Sequence, residues 1–302
     1  MKNRRLGDED AVQFDVNDKI PHRDEMRLID GIAFKDKNKV TLSIIVPSDS
    51  IFVAPDKVVA PLAMIEMLAQ LCSAQYTFEE GLDHDGHLCG YLVGIDNVKF
   101  TEPVYAGDKL DLIAWNVIEL KEVHRILGEV FRDDIIVGQA ELTLYKTEEW
   151  ISQPEIADHQ KGLVNVLSKE YSLWASERDT VSKEIVQSIS NIDVKHEESV
   201  EATICFQPDF VGFSGHFPGY PVLPGIVIIY AGWLLAEMCA NKKLDLYFIK
   251  KAKFIRPIHP LDTVDVILRH IKNDNEQLIW HSVKIKCQGD LMAKYEIGTN
   301  LV

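Results

Sequence analysis

Two similar stretches of sequence define the organisation of this chain. Residues 98–104 are Val-Lys-Phe-Thr-Glu-Pro-Val, and residues 252–258 are Ala-Lys-Phe-Ile-Arg-Pro-Ile. An Asp-x-x-Asp follows each stretch, at residues 108–111 and 262–265, and both features recur at the same separation of 154 residues. Self-similarity at a fixed separation is typical of a chain built from repeated structural units. It predicts that the 302 residues form two similar halves.

The segments around the repeat predict the same elements in each half. Residues 61–78 and 224–240 have apolar or small side chains on every side, which predicts two buried helices. Alternating apolar residues predict a strand before each helix, at 40–46 and 200–206, and four strands after it. The later strands are predicted at 91–100, 109–119, 124–131 and 135–145, and at 246–254, 262–271, 277–287 and 291–298.

This pattern predicts an α+β fold in which each antiparallel sheet curves around one central helix. Two such sheets can pair edge to edge, which would cover strands that are otherwise exposed. We expect the N-terminal repeat at residues 15–147 and the C-terminal repeat at 166–302. The polar residues 148–165 between them are predicted to be a linker.

Composition and charge exclude several classes of protein. The net charge of -15 argues against a nucleic-acid-binding protein, which needs a basic face. No secretory signal is found at the N-terminus, and the longest apolar run, residues 222–236, is too short for a membrane span. The five cysteines are scattered and form no Cys-x-x-Cys, which fits reduced thiols in the cytoplasm. We expect no metal and no cofactor.

The second half contains a turn-rich stretch that runs directly into its helix. Residues 215–226 are Gly-His-Phe-Pro-Gly-Tyr-Pro-Val-Leu-Pro-Gly-Ile, so two Pro-Gly turns follow His216 and the second ends at Gly225. Proline suits the first turn of a helix, and glycine allows another group to approach the backbone. Unpaired N–H groups and the positive end of the helix dipole lie at such a position. The stretch therefore predicts a site that stabilises negative charge beside a histidine.

This stretch resembles the 3-hydroxyacyl-[acyl-carrier-protein] dehydratase family of the hotdog fold. The family has His-Phe-x-Gly-x-Pro-x-x-Pro-Gly before its central helix and an acidic residue within that helix. The first half resembles the same family in residues 20–23 (Ile-Pro-His-Arg), in residues 65–70 around Glu66, and in residues 94–100. The resemblance implies a tandem, or double, hotdog whose substrates are 3-hydroxyacyl thioesters, delivered by an acyl carrier protein or coenzyme A.

The two halves depart from the family pattern in complementary ways. When the helices are aligned with an offset of 164 residues, Glu66 corresponds to Tyr230, His216 to Phe52 and Gly225 to Pro61. The family's site lies between two subunits, with the histidine and glycine from one and the acid from the other. The resemblance therefore implies one complete site and one inactive mirror site. The chain is also similar to aryl-polyene-type dehydratases, in which two separate hotdog proteins, each incomplete, complement each other. The resemblance implies that this chain is a fused version of such a pair.

The resemblance assigns a role to each residue of the complete site. His216, neutral near pH 7, would remove the α-proton, and the Gly225 amide would stabilise the enolate-like oxygen. Glu66, or a water that it holds, would assist departure of the hydroxyl group, which requires a pKa raised by burial. The division of acid and base roles stays open. Gln70, one helical turn after Glu66, and Tyr91 are further candidates for substrate binding.

Other residues and functions remain as alternatives. Lys250, Lys251, Lys253 and Arg256 could dock an acidic carrier protein or form a solvated strand face. His22 is predicted to cap or pack a short helix, and His259, His84 and His87 have no metal-ligand partner at diagnostic spacing. A hotdog acyl thioesterase and a non-catalytic protein that binds acyl chains or carriers are the alternative functions. A homodimer of chains is plausible.

Overall fold

The computed structural model describes residues 13–16, 19–36, 39–79, 89–147, 176–195, 199–217, 219–271 and 278–301. The predicted linker, residues 148–165, lies outside these ranges, as do His84 and His87. Among the described residues, no helix has the length and apolar character needed to cross a membrane.

The first half consists of strands around one long helix. The helix α1 spans Leu62–Glu79, and a 3-10 turn at Asp24–Met26 lies between the first two strands. The strands are β1 (Gln13–Asp15), β2 (Gly31–Asp36), β3 (Lys39–Ile45), β4 (Val58–Val59), β5 (Cys89–Phe100), β6 (Val104–Tyr105), β7 (Lys109–Leu120), β8 (Val123–Arg132) and β9 (Ile135–Thr147).

The second half repeats this arrangement. A short helix, α2 (Thr180–Gln187), takes the place of the first 3-10 turn, and the central helix α3 spans Gly225–Ala240. The strands are β10 (Ile189–Lys195), β11 (Ser199–Cys205), β12 (Leu244–Phe254), β13 (Thr263–Ile271), β14 (Ile279–Cys287) and β15 (Asp290–Leu301).

One antiparallel sheet of 13 strands joins the two halves. Its order is β1-β2-β3-β7-β8-β9-β5-β12-β15-β14-β13-β11-β10. The order read outward from β5 in one half corresponds to the order read outward from β12 in the other, apart from the additional β1. The pairing of β5 with β12 places Val98 opposite Ile249 and Ile95 opposite Ala252. The two hotdogs therefore pair edge to edge, as predicted.

Both central helices are buried because apolar residues surround them. Residues 226–238 of α3 are all buried, and α1 buries residues 62–68 without interruption. On strand β3 the side chains of Leu42 and Ile44 are buried, whereas the alternating Ser43 and Ile45 are exposed. Each curved sheet thus contributes one apolar face to the packing around its helix.

Candidate active site

His216 is fixed at the start of α3 by the turns around it. The ring Nδ1–H donates a hydrogen bond of 2.7 Å to the carbonyl oxygen of Val222. Because a carbonyl can only accept, this bond sets the tautomer and leaves Nε2 of the neutral ring with its lone pair. The ring packs on Phe217 with a centroid separation of 4.3 Å. His216 is therefore oriented as a base, with Nε2 as the basic atom.

Gly215 brings the first half of the chain to this histidine. Its φ is +71°, and a Cβ built there would lie 1.8 Å from the carbonyl oxygen of Arg23. The Arg23 N–H in turn donates a hydrogen bond of 2.8 Å to the Gly215 carbonyl oxygen. Only glycine fits both the backbone conformation and this close approach. The contact places the neighbouring His22 within 5.2 Å of His216, measured between ring centroids.

Glu66 extends from α1 toward the same point and is held by two side chains. The Nε2–H of His22 donates to its Oε1 at 3.1 Å, and the Gln70 amide donates to the same atom at 3.1 Å. Gln70 is itself fixed, because it donates to the Met26 carbonyl oxygen at 2.7 Å and accepts from the Leu28 N–H at 2.9 Å. The carboxylate therefore has a defined position with little freedom to rotate.

The ligand atoms of His22, Glu66 and His216 lie within 4.8 Å of one another, and all three side chains are buried. Glu66 and His22 come from the first half, and His216 comes from the second. The separation of His216 and Glu66 is far below the ~10 Å that would have argued against a shared site. The three residues line one pocket of about 840 Å³, a volume that includes open solvent at its mouth.

Gly225 lines the same pocket as the first residue of α3. The backbone N–H of a residue at this position has no partner within the helix and points along the positive end of the dipole. A Cβ at Gly225 would lie 2.9 Å from the Phe254 ring, so a side chain there would disturb the wall of the pocket. The helix start can therefore stabilise an oxygen that gains negative charge.

The charges of the cluster differ from the sequence-based expectation at one residue. Burial, together with the charge of the nearby His22, lowers the pKa of His216 to about 4, although the charge of Glu66 and the bond to Val222 act in the opposite direction. The ring is therefore neutral at pH 7, as predicted. Burial alone raises the pKa of Glu66, but the hydrogen bond and charge of His22, with smaller contributions from His216 and Gln70, outweigh it. The expectation of a raised pKa for Glu66 is therefore wrong, and the group is a carboxylate.

Imidazole and carboxylate are also ligands for transition metals, so this cluster is where a metal ion could bind. The same groups suffice for proton transfer to and from a substrate in the pocket. The absence of a metal and of a cofactor stays a prediction.

His22 has a larger part in the site than the sequence predicts. The N-cap residue of the nearby 3-10 turn is Arg23, and no side chain caps it, so the predicted capping role of His22 is wrong. His22 instead bonds to Glu66 and has its other ring nitrogen, Nδ1, buried without a partner among the described residues. The Pro-His-Arg resemblance was the available signal, but only the fold shows that this segment crosses to Gly215.

The remaining candidates have different positions. Tyr91 lines the pocket and packs edge-on against Phe217, with 5.8 Å between ring centroids. Gln70 does not line this pocket, and both ends of its amide are bonded to the protein, so it positions Glu66 rather than contacting substrate. Its assignment to substrate binding is corrected accordingly.

The four basic residues near β12 are only partly available for docking. Lys251 pairs with Glu296 at 2.9 Å, and Lys250 lies 4.4 Å above the Trp280 ring. Lys253 is exposed on the strand. Arg256 pairs with Asp290 and is the member of the group that lines the active-site pocket. Docking of a carrier protein at these residues stays a prediction.

The mirror position is filled by a structural hydrogen-bond network. Thr180 N–H donates to the Ile51 carbonyl oxygen at 3.1 Å, in the place of the bond from Arg23 to Gly215. By this correspondence Asp179 occupies the place of His22, and the Tyr230 hydroxyl, in the place of Glu66, donates a hydrogen bond to it. Asp179 also caps α2 by accepting from the Ser182 N–H at 2.9 Å.

Phe52, in the place of His216, is fully buried, and Pro61 in the place of Gly225 has no N–H to donate. Neither of the two described pockets is lined by Phe52, Pro61 or Tyr230. The mirror position therefore lacks a basic ring, a carboxylate on the central helix and the amide of the complete site.

Comparisons with known proteins match each half to a different dehydratase family. The ApeP-like family, described as ApeP dehydratase, matches residues 14–154. The ApeI-like family, described as ApeI dehydratase, matches residues 192–295. The half that contains His22 and Glu66 is thus ApeP-like, and the half that contains His216 and Gly225 is ApeI-like.

Curated relatives are named 3-hydroxyacyl-[acyl-carrier-protein] dehydratase FabZ. The protein from Methylobacterium nodulans is 35% identical over 100 residues, which is 30% of this chain and 62% of that relative, so less than two thirds of its length is spanned. The protein from Nitratiruptor sp. is 38% identical over 104 residues, which is 30% of this chain and 69% of the relative.

A solved acyl-ACP thioesterase from Bacteroides thetaiotaomicron has the same fold, with a TM-score of 0.53 and 10% identity over 87% of this chain and 98% of that one. At this identity the likeness shows the double-hotdog fold alone. With the family matches in both halves and the identity to the curated relatives, the chain belongs to the 3-hydroxyacyl-[acyl-carrier-protein] dehydratase family, as a double hotdog with an ApeP-like half followed by an ApeI-like half.

Proposed function

We propose that this protein dehydrates 3-hydroxyacyl thioesters to trans-2-enoyl thioesters at one composite site in each chain. The observation that supports this most directly is the meeting of His216 with Glu66 from the opposite half, within 4.8 Å and in a pocket that Gly225 also lines. Such a site offers a base, a fixed carboxylate and an N–H group for the thioester oxygen. Fatty-acid, aryl-polyene and polyketide-like synthesis all use this reaction.

The chemistry of the proposal follows from the protonation states. Neutral His216 takes the α-proton at Nε2, and the enolate-like oxygen that forms accepts a hydrogen bond from the Gly225 N–H. The Glu66 carboxylate accepts a hydrogen bond from the β-hydroxyl group and stabilises the imidazolium. The imidazolium then returns the proton to the departing hydroxyl as the Cβ–O bond breaks, which releases water. No net proton is gained or lost, so Glu66 does not need to start as an acid.

His22 and Gln70 are positioning residues in this scheme. Both donate to Glu66 Oε1, so they hold the carboxylate in its charged form and direct it toward the pocket. The thioester enters past Arg256, and the acyl chain runs along α1 by Ala69 and Ser73. We further propose an acyl carrier protein as the partner that delivers it, a cytoplasmic location, and a homodimer of chains as a possible assembly.

The test is turnover of purified protein with 3-hydroxyacyl thioesters, followed through the enoyl product. His216→Asn and Glu66→Gln should each lower kcat by about 100- to 10,000-fold, the usual contribution of a positioned acid or base. His270→Asn changes an exposed histidine of the same half and serves as the control. Turnover of wild type that survives both substitutions would exclude the assignment. Release of free thiol without enoyl product would instead identify a thioesterase.

A further inference from the structure

A second cavity continues from the active-site pocket. It is enclosed by the later part of α1 and strands β7, β8 and β9, with a volume of about 540 Å³ that includes solvent at its mouth. Ser73, Gly90 and Leu144 line both cavities, so they form a neck between them. A Cβ at Gly90 would lie 3.8 Å from the Ser73 hydroxyl, so these two residues face each other across the neck. The second cavity therefore lies directly next to the active-site pocket.

The second cavity lies where the far end of a long acyl chain would reach. Glu66 lies beside the reacting carbons, and Tyr76 lines the second cavity ten residues later on the same helix. At the rise of an α-helix, ten residues correspond to about 15 Å. A short acyl group would end before the neck at Ser73, whereas a long one would pass through it.

The lining of this cavity is unlike that of an aliphatic-chain site. His124 Nε2 and Asn116 Oδ1 both line it, are buried, and have no hydrogen-bond partner among the described residues. The His124 ring packs edge-on against Tyr76, and the Lys146 ammonium group lies 4.6 Å from the centre of the Tyr76 ring. Buried polar atoms are nearly always paired with protein groups or water, so these two atoms are suited to bond a polar group of a ligand in the cavity.

We propose that this second cavity binds the distal end of the acyl chain and selects chains with a hydrogen-bonding group there, such as a hydroxyl. A hydroxyl can donate to Asn116 Oδ1 and accept from His124 Nε2–H, which relieves both atoms at once. A plain methyl end would leave them buried and unpaired. The inference rests on the proposed function, because it names the substrate class of the same site.

The first experiment compares two 3-hydroxyacyl thioesters of equal length, one with a terminal hydroxyl and one with a terminal methyl group, over chains from decanoyl to tetradecanoyl. At the best length, kcat/KM should favour the hydroxyl by about tenfold, as expected for one ordinary hydrogen bond. Asn116→Leu and His124→Leu should each reduce that preference. Asn191→Leu, on an exposed position of the edge strand β10, is the matched control and should retain it.

The second experiment closes the neck without touching the polar atoms. The side chain of Gly90→Leu would occupy the space between Ser73 and Leu144. Turnover of tetradecanoyl substrates should fall by at least about tenfold more than turnover of 3-hydroxybutyryl substrates, because a short chain ends before the neck. Equal loss for both lengths would show that the chain does not pass this way.

The outcomes separate this inference from the proposed function. If wild type dehydrates 3-hydroxybutyryl thioester but shows no preference for a terminal hydroxyl at any length, the inference is wrong and the dehydratase assignment stands. If no 3-hydroxyacyl thioester is dehydrated, the proposed function fails first. A preference that persists in both Asn116→Leu and His124→Leu would also overturn the role of these two residues.

Discussion

His22 shows how one side chain can set the charge of a catalytic carboxylate. Burial raises the pKa of Glu66 and favours the neutral acid. The hydrogen bond from His22 is the largest of the effects that lower this pKa. The same histidine adds to the lowering of the His216 pKa. Both functional groups therefore titrate below the neutral range, which keeps the base free and the carboxylate charged at pH 7. The proposed mechanism requires this pair of protonation states.

His22→Gln should move the acidic limb of the pH–rate profile to higher pH. Glutamine can still donate to Glu66, but it has no charge, so burial raises the Glu66 pKa and the His216 pKa is no longer lowered by its neighbour. Wild-type kcat/KM should stay level as the pH falls from 7 and decrease as His216 is protonated at about pH 4. A profile whose acidic limb does not move in His22→Gln would contradict the role. His259→Gln changes a buried histidine outside this cluster and is the control.

Residue-level predictability had a clear limit. The sequence identified His216, Glu66 and Gly225 through the pattern of turns and through the repeat alignment. It could not show that His22 joins them, because the contact depends on the bond between Arg23 and Gly215, which are distant in sequence. The Glu66 pKa was misjudged for the same reason. The apolar helix indicates that Glu66 is buried, but the sequence does not show that His22, from another segment, donates a hydrogen bond to it.

At the level of elements, the glycine before the histidine joins the two halves of the site. Gly215 and Gly219 both have positive φ, +71° and +82°, but only Gly215 has a neighbour within 4 Å of a built Cβ. The left-handed conformation costs an alanine about 1–2 kcal/mol at either position. Steric contact with the Arg23 backbone adds to this cost at Gly215 alone.

Gly215→Ala should therefore lower both stability and activity more than Gly219→Ala. The free energy of unfolding, measured by urea denaturation, should fall further in Gly215→Ala, and kcat should fall because the His22 segment is displaced from Glu66. Gly219→Ala has the same cost of the left-handed conformation but no steric contact with Arg23. The difference between the two variants therefore measures the effect of that contact. Equal losses in the two variants would indicate that the Arg23 backbone moves aside at little energetic cost, and that its contact with Gly215 does not hold the site together.

The Tyr230–Asp179 bond gives the mirror position a structural role. Tyr230→Phe removes the hydroxyl donor and leaves a buried carboxyl group with one fewer partner, so it should destabilise the protein by about 1–3 kcal/mol. Because neither residue lines the active-site pocket, kcat/KM should remain at the wild-type value. Tyr105→Phe, at a side chain that is 42% exposed, is the control for loss of a hydroxyl. Loss of activity in folded Tyr230→Phe would contradict the structural role.

The elements themselves were predictable to different degrees. Both central helices and all ten long strands predicted from alternation are present, because apolar periodicity over many residues is a strong pattern. Strand β10 was missed because it is an edge strand with Ser, Asn, Asp and Lys among its seven residues, which are poor strand formers. Helix α2 was also missed. It spans only eight residues, and its start was marked by Asp179 with Ser182 three residues later.

On the scale of the whole molecule, the fusion makes the two halves unequal. A homodimer of identical hotdogs must build both of its sites from the same residues. In a single chain each half can change alone, so one site retains the histidine, the glycine amide and the carboxylate while the other becomes a packed network. The paired strands β5 and β12 keep the halves in register. This explains why the complete site needs residues from both halves.

One active site per chain is the resulting prediction. A tight-binding, non-hydrolysable analogue of the 3-hydroxyacyl thioester should saturate at one equivalent per chain in calorimetry, whatever the oligomeric state, because Phe52, Pro61 and Tyr230 cannot replace His216, Gly225 and Glu66. The residual activity of Glu66→Gln should come from one kind of site in every chain, with no second kinetic phase from the mirror position. Tyr230→Phe should leave the stoichiometry unchanged, since it does not remove a binding residue. A measured value near two equivalents per chain would show that the mirror position binds substrate as well.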